Sequence, residues 1–185
     1  MLIIKRQETL KNAILIIAKQ ANGQVKITNK ENMTIIEDKD GLVGINFFNV
    51  EDKLETKEGV HSVSEEQIEQ IKALGYEIKE VKHYFKVGKV LSRTTHPKSE
   101  RLFLLEVDVK DEKLQIVTNS LNSTEGKNVV VATLGATLPS GLEIVRSKVM
   151  GVESQGMLCG AETLQIGKSE GVYIPEGNAG DDFKL

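Results

Sequence analysis

The chain has 185 residues, of which 39% are hydrophobic and 28% charged, with a formal net charge of −3. These values suit one large or two small folded domains with a packed core and the charge content of an ordinary soluble protein. No segment approaches the roughly 18 apolar residues of a membrane span, and the single cysteine excludes an internal disulfide framework. The first six residues place their charges after a very short apolar run, the wrong order for a signal peptide. We therefore expect a cytoplasmic protein that does not enter membranes.

Short apolar runs predict five strands in the first 60 residues, at 2–5, 13–18, 25–28, 33–37 and 42–48. Asp40-Gly41 indicates a hairpin between the last two, because glycine accepts the positive φ of such turns. Ser64-Glu-Glu-Gln67 is a helix capping box. It precedes a buried stripe made by Ile68, Ile71 and Leu74. Residues 1–80 are thus predicted to be a small α+β domain, and no motif in them indicates a role.

The rest of the chain, residues 83–185, is predicted to be mainly β. Strands are expected at 86–93, 102–109, 114–118 and 129–134, with a type I turn at 138–141 and a short helix near 161–164. About five short strands with frequent glycine are typical of a five-stranded Greek-key barrel of the OB type. The boundary with the first domain is expected at about 79–83.

The most informative stretch is 146–160. Basic and apolar residues alternate from Arg146 to Met150, which predicts a strand with cations on one face and a buried opposite face that includes Val145 and Val149. Glycines at 151 and 156 indicate two changes of direction. Ser154 and Gln155, between them, are expected to be exposed. This combination is typical of a surface that grips a phosphodiester.

The segment Gly151-Val-Glu-Ser-Gln-Gly-Met-Leu-Cys159 resembles the G-x-x-S-x-G-M signature of the EMAP-II-like tRNA-binding domain. Further short motifs resemble, in order and spacing, the OB module at the start of the bacterial phenylalanyl-tRNA synthetase β chain. They are Val87-Gly-Lys-Val90, His96-Pro97, Arg101-Leu102, Val129 to Ala132, Gly135-Ala136 and Leu138-Pro-Ser-Gly141. The motif Gly44-Ile-Asn-Phe-Phe-Asn49 and the small leading domain are similar to the free-standing, YtpR-like branch of that family.

The resemblance implies a non-catalytic protein that binds the corner of tRNA through the OB groove, without a cofactor. It matches the family's binding face to these residues: Lys86, Arg101, Asn119, Arg146, Lys148, Ser154, Gln155 and Met157. The sequence leaves two positions open to alternative interpretations. His96 either touches a nucleotide or simply ends the first barrel strand, and Met157 either packs in the core or lies on the rim.

Residues typical of catalysis or metal binding do not form a pattern. The three histidines, His61, His83 and His96, are scattered, so a metal site is not predicted. Cys159 lacks a C-x-x-C partner and lies in an apolar run, which favours a buried position. Gly151 to Gly156 has the glycine spacing of a P-loop but no following lysine. We therefore predict that the protein is not an enzyme.

Charge is distributed unevenly along the chain. Residues 1–81 carry 11 basic and 14 acidic side chains, whereas residues 82–185 carry 13 of each. Residues 83–101 alone have a net charge of +4, and a polyanion responds to the local field. This modest patch predicts weak, strongly salt-dependent binding. The low basicity favours a rival hypothesis, a protein-interaction module that docks an aminoacyl-tRNA synthetase or another translation partner. A monomer and a homodimer are both compatible with the sequence.

Overall fold

The computed structural model describes residues 1–185, and the chain divides into two compact units. The first unit comprises Met1–Lys82 together with Leu185, and the second comprises His83–Lys184. None of the helices is long and apolar enough to cross a membrane. Strands dominate both units, as the sequence predicts.

The first unit is built on one six-stranded antiparallel sheet with the strand order β3-β4-β5-β2-β1-β6. Its strands are β1 Leu2–Lys5, β2 Ala13–Ile17, β3 Lys26–Asn29, β4 Met33–Asp38, β5 Gly41–Phe48 and β6 Gly59–Ser62. Five of them fall within a residue or so of the predicted runs. Strand β6 was not predicted, because its four residues carry no apolar alternation and it forms only by pairing with β1.

Helix α1, Glu65–Ala73, confirms the predicted capping box. The Gln67 backbone N–H donates to the Ser64 hydroxyl at 3.2 Å, and the Ser64 N–H donates to the Gln67 amide oxygen at 3.0 Å. Leu74 is the C-cap of the helix, and Gly75 follows in the left-handed region at φ +96°. Ile71 is completely buried against the sheet, so the predicted apolar stripe does form the core.

The β4–β5 hairpin is organised around the carboxylate of Asp38. Its two oxygens accept hydrogen bonds from the Lys19 ammonium at 2.5 and 2.6 Å. The backbone N–H groups of Asn22 and Asp40 donate to the same carboxylate at 2.7 and 2.8 Å. These donors stabilise the charged form and lower the pKa of Asp38 to about 2. Gly41 closes the turn at φ +110°, as predicted for this hairpin.

The second unit contains a curled, five-stranded antiparallel sheet with the order β13-β10-β7-β8-β9, called here the barrel-like sheet. Its strands are β7 Phe85–His96, β8 Ser99–Asp108, β9 Lys113–Thr118, β10 Asn128–Thr133 and β13 Gly156–Cys159. A separate two-stranded ribbon joins β11 Ser147–Val149 to β12 Val152–Ser154. The sheet encloses an aliphatic core centred on Val107, Ile116 and Val131. This architecture fits an OB-like fold.

Two features of the second unit bear on sequence predictions. Cys159 is fully buried, as predicted, and burial raises the pKa of its thiol to about 12. The helix predicted near 161–164 is wrong: the segment is a single turn. The Ile166 N–H donates to the Ala161 carbonyl, and Gln165 adopts φ +56°. That left-handed residue ends the turn before a helix can propagate.

We predict that Asp38 makes the stability of the first unit sensitive to acid. A pKa lowered from 3.8 to about 2 in the folded state contributes stability above about pH 4, and the contribution is lost as pH falls towards 2. The unfolding free energies of the parent and Asp38→Asn should therefore differ by a constant amount near neutral pH and converge below about pH 4. Chemical denaturation followed by circular dichroism measures this. Asp52→Asn, at an exposed site, is the control, and a difference independent of pH would contradict the assignment.

Candidate nucleic-acid interface

The β7–β8 hairpin presents two basic side chains at its tip. His96 pairs with Ser99, so the turn consists of Pro97 and Lys98. Pro97 favours this turn because its ring fixes φ near −65°. The register then shifts: Thr95 pairs with Phe103, and residues 100–102 bulge out of the ladder. Lys98 lies in the turn, and Arg101 lies in the bulge, where it is exposed.

The β11–β12 ribbon is the second hairpin of the candidate interface. Its turn residues, Met150 and Gly151, have φ of +48° and +90°, the positive pair required by a tight two-residue hairpin. The predicted strand from Arg146 to Met150 is thus shorter than expected, and its apolar face is only partly covered, with Val149 half-buried. Val145 is 51% exposed, because the ribbon stands outside the barrel-like sheet. Arg146 and Lys148 are both exposed, as expected.

His96 joins these two hairpins. Its side chain is only 3% exposed, and its Nε2 lies 3.2 Å from the Val149 carbonyl oxygen. Its Nδ1 lies 3.1 Å from the backbone nitrogen of Lys98. A β-carbon on Gly151 would lie 3.4 Å from the Lys98 Nζ, so the two tips are in contact. The structure therefore favours the second interpretation of His96, as a residue that ends a strand rather than one that touches a nucleotide.

The four cations of the two hairpins differ in how they are paired. Arg146 donates to the Glu153 carboxylate at 2.5 Å across the ribbon. Lys148 is opposite Glu153 in the ladder but makes no ion pair with it, and Lys98 and Arg101 also lack an ion pair. The two hairpins therefore present three unneutralised cations near their tips, whereas Arg146, at the base of the ribbon, shares its charge with a carboxylate.

Ser154 and Gln155 occupy structural positions. Ser154 is 3% exposed, contrary to the expectation that it is exposed; its hydroxyl accepts from the Val117 N–H at 3.1 Å and donates to the Gly156 carbonyl at 3.0 Å. The Gln155 amide oxygen accepts from the Gln115 N–H at 2.9 Å. The Gln155 N–H in turn donates to the Gln115 carbonyl at 2.8 Å. These bonds connect β9 to the segment leading into β13, and so bridge the two edge strands of the barrel-like sheet.

Two other cations of the predicted basic patch are engaged within the protein. Lys86 forms an ion pair with Asp182. The Arg93 guanidinium lies 3.6 Å from the centroid of the Phe103 ring and donates to the Leu121 carbonyl at 2.9 Å. Lys86 and His96 are ten residues apart on one strand, or roughly 30 Å at the rise of a strand. Lys86 is therefore remote from the hairpin tips.

The remaining matched residues lie elsewhere on the second unit. Met157 is half-buried on β13, where it pairs with Ala132. Asn119 is exposed just after β9 and lines a groove of about 770 Å³, which also contains Glu162 and Glu170. The eight matched residues thus do not form one cluster. Arg101 and Lys148 lie near the tips, whereas Arg146 lies at the base of the ribbon, just before β11. Lys98 is not among the matched residues, although the local charge of residues 83–101 includes it.

A curled five-stranded antiparallel sheet is the architecture of OB-like folds, which bind oligonucleotides or oligosaccharides through one strand face and the adjoining loops. The family profile described as "Putative tRNA binding domain" matches residues 85–181. The "Putative tRNA-binding protein YtpR" of Bacillus subtilis is 34% identical over 174 residues, covering 87% of this chain and 83% of that protein. The chain belongs to the tRNA-binding domain family, which confirms the resemblance seen in the sequence.

Two further similarities cover only part of the chain or of its relative. The phenylalanine–tRNA ligase β subunit of Staphylococcus epidermidis is 35% identical over 120 residues, which cover 57% of this chain but 15% of that subunit. Among solved structures, a MetRS-related protein from Pyrococcus horikoshii is 30% identical with a TM-score of 0.41, covering 58% of this chain and 99% of that one.

We predict that Ser154→Ala lowers the stability of the second unit. The substitution leaves the Val117 N–H without its partner in a partly buried position, at a cost of about 1–3 kcal/mol. Ser147→Ala, on the exposed strand of the same ribbon, is the matched control and should change stability by less than about 0.5 kcal/mol. Urea denaturation of both variants measures the difference. Equal stabilities would show that the Ser154 hydroxyl does not help to hold the sheet together.

Proposed function

We propose that this chain is a non-catalytic tRNA-binding protein that recognises the backbone and shape of tRNA through an OB-fold groove. The observation that carries the proposal is the meeting of two basic hairpins, at which Lys98, Arg101 and Lys148 remain without an ion pair. Unneutralised cations at fixed spacing suit contact with successive phosphates. Membership of the tRNA-binding domain family supports tRNA as the polyanion.

We assign tRNA binding to residues 83–185 and regard residues 1–80 as a separate α+β domain. The order β10-β7-β8-β9 supports a Greek-key barrel, because a fourth strand returns beside the first of three consecutive strands. We place the protein in the cytoplasm, where its ligand would be found. The buried thiol of Cys159 and the separation of the histidines support a role without catalysis.

The matched residues receive different roles in this proposal. Arg101 and Lys148 contact phosphates near the tips, and Arg146 contacts a phosphate at the base of the ribbon. Asn119 and Met157 offer a hydrogen-bonding group and an apolar surface to unpaired nucleotides, and Lys86 is a peripheral phosphate contact. Ser154 and Gln155 act by holding the ribbon to β9 rather than by direct contact, since the Ser154 hydroxyl and the Gln155 amide oxygen are already bonded within the protein.

We propose a second copy of the chain as a further partner, and an aminoacyl-tRNA synthetase as a third. Two interfaces side by side would compensate for a small cation cluster by avidity. Similarity to a phenylalanine–tRNA ligase subunit supports the synthetase. Light scattering at micromolar concentration tests the dimer: the expected mass is twice that of one chain, and a mass near 20.4 kDa would contradict it.

Titration with bulk tRNA at several salt concentrations tests the proposed function. Contact by three or four cations predicts a log–log salt slope of roughly −2 to −4. Arg146→Ala combined with Lys148→Ala should weaken binding by about 1–3 kcal/mol and reduce that slope. Glu153→Gln should instead strengthen binding, because it frees Arg146 and removes a negative charge opposite Lys148.

The matched control removes two exposed lysines from the first unit, as Lys26→Ala with Lys57→Ala. This variant has the same net charge as the hairpin variant, so nonspecific electrostatics would weaken both equally. Equal affinities of the two variants would place the binding surface elsewhere. If the parent protein bound no tRNA but captured a purified synthetase, the interaction-module hypothesis would replace the proposed function.

A further inference from the structure

We propose that His96 is a positioning residue for tRNA binding: by donating from Nε2–H to the Val149 carbonyl, it fixes the β11–β12 ribbon against the β7–β8 turn. This sets the spacing between Lys98 on one hairpin and Lys148 on the other. The inference rests on the proposed function, because the spacing matters only if both cations bind the same polyanion.

The geometry defines the proton position on the imidazole. The Lys98 backbone nitrogen is a donor, so the His96 Nδ1 that lies 3.1 Å away must be unprotonated. The proton of the neutral ring is then on Nε2, which points at the Val149 carbonyl oxygen 3.2 Å away. One tautomer satisfies both contacts, and the ring is too buried to offer a face to a ligand.

The ribbon needs such an attachment because its own pairing is slight. Strands β11 and β12 have three residues each and pair only with one another. An isolated two-stranded hairpin is marginally stable in water. Its base is tied to β9, where the Gln115 side-chain amide donates to the Glu153 carbonyl at 2.8 Å. Val149 adjoins the turn at the opposite end, and His96 is bonded there.

Fixing the ribbon before tRNA arrives reduces the entropy that binding must remove. With the hydrogen bond present, Lys98 and Lys148 are held as one surface. Without it, the ribbon can pivot on its base, and Lys148 must be ordered during binding. His96 therefore raises tRNA affinity without contacting tRNA.

Two substitutions separate the two hydrogen bonds of the ring. In His96→Gln, the side-chain amide nitrogen reaches the position of Nε2 and can still donate to the Val149 carbonyl. In His96→Asn, the amide oxygen replaces Nδ1 and can still accept from Lys98, but the side chain is too short to reach Val149. Both introduce an amide at the same buried position, so each serves as the control for the other.

Titration of the parent and of each variant with bulk tRNA at about 100 mM salt compares their affinities. We expect His96→Asn to bind about five-fold more weakly than the parent, with the magnitude of its salt slope reduced by roughly 1. The tRNA affinity of His96→Gln should stay within about two-fold of that of the parent, because this variant retains the donor to the Val149 carbonyl. Parental binding by His96→Asn, or a greater loss in His96→Gln than in His96→Asn, would overturn the inference.

The imidazole nitrogen spectrum of the parent provides a test that needs no variant to fold. We expect His96 as the Nε2–H tautomer, with a proton that exchanges slowly with water; the Nδ1–H tautomer would overturn the inference.

The two proposals fail in distinguishable ways. A parent that does not bind tRNA defeats the proposed function and this inference with it. A parent that binds, with an equally competent His96→Asn, defeats only the role of His96.

Discussion

Hydrogen bonds between the edge of β9 and the segment Glu153–Gln155 determine the shape of the second unit. Strands β9 and β13 lie at opposite ends of the strand order, yet Gln115 and Val117 exchange bonds with residues just before β13. An open edge would leave these backbone groups to solvent or to another chain. Because the bridging residues come from β12 and the bend after it, the same bonds that curl the sheet also anchor the base of the basic ribbon.

The electrostatics of the second unit follow from which cations the fold neutralises. The Arg93 guanidinium donates a hydrogen bond to the loop after β9 and stacks on Phe103, and Lys86 forms an ion pair with Asp182. The tips of the two hairpins retain the unpaired charges. A chain of net charge −3 can therefore still present a local positive field to a polyanion. The field is short-ranged, since charges separated by more than about 10 Å are screened at ordinary salt.

Sequence patterns predicted the features that depend on local chemistry. The capping box at Ser64, the Asp40-Gly41 hairpin and the buried Cys159 each follow from a few neighbouring residues. Features that depend on residues distant along the chain were missed or predicted wrongly. Strand β6 exists only through β1, and the hydroxyl of Ser154 is buried by β9, which is nearly 40 residues away in the chain. Alternation around Arg146 indicated a half-buried strand, but it could not show that the ribbon stands away from the core, with Val145 exposed.

In the proposed function, the two hairpin tips form one tRNA-binding surface. Hydrogen exchange of the full chain, measured by mass spectrometry with and without saturating bulk tRNA, tests it most directly. We expect tRNA to slow exchange in the peptides covering 94–101 and 147–153 together and to leave the strands of the first unit between 2 and 48 unchanged. Slower exchange confined to residues 1–82, or in only one of the two hairpins, would contradict it.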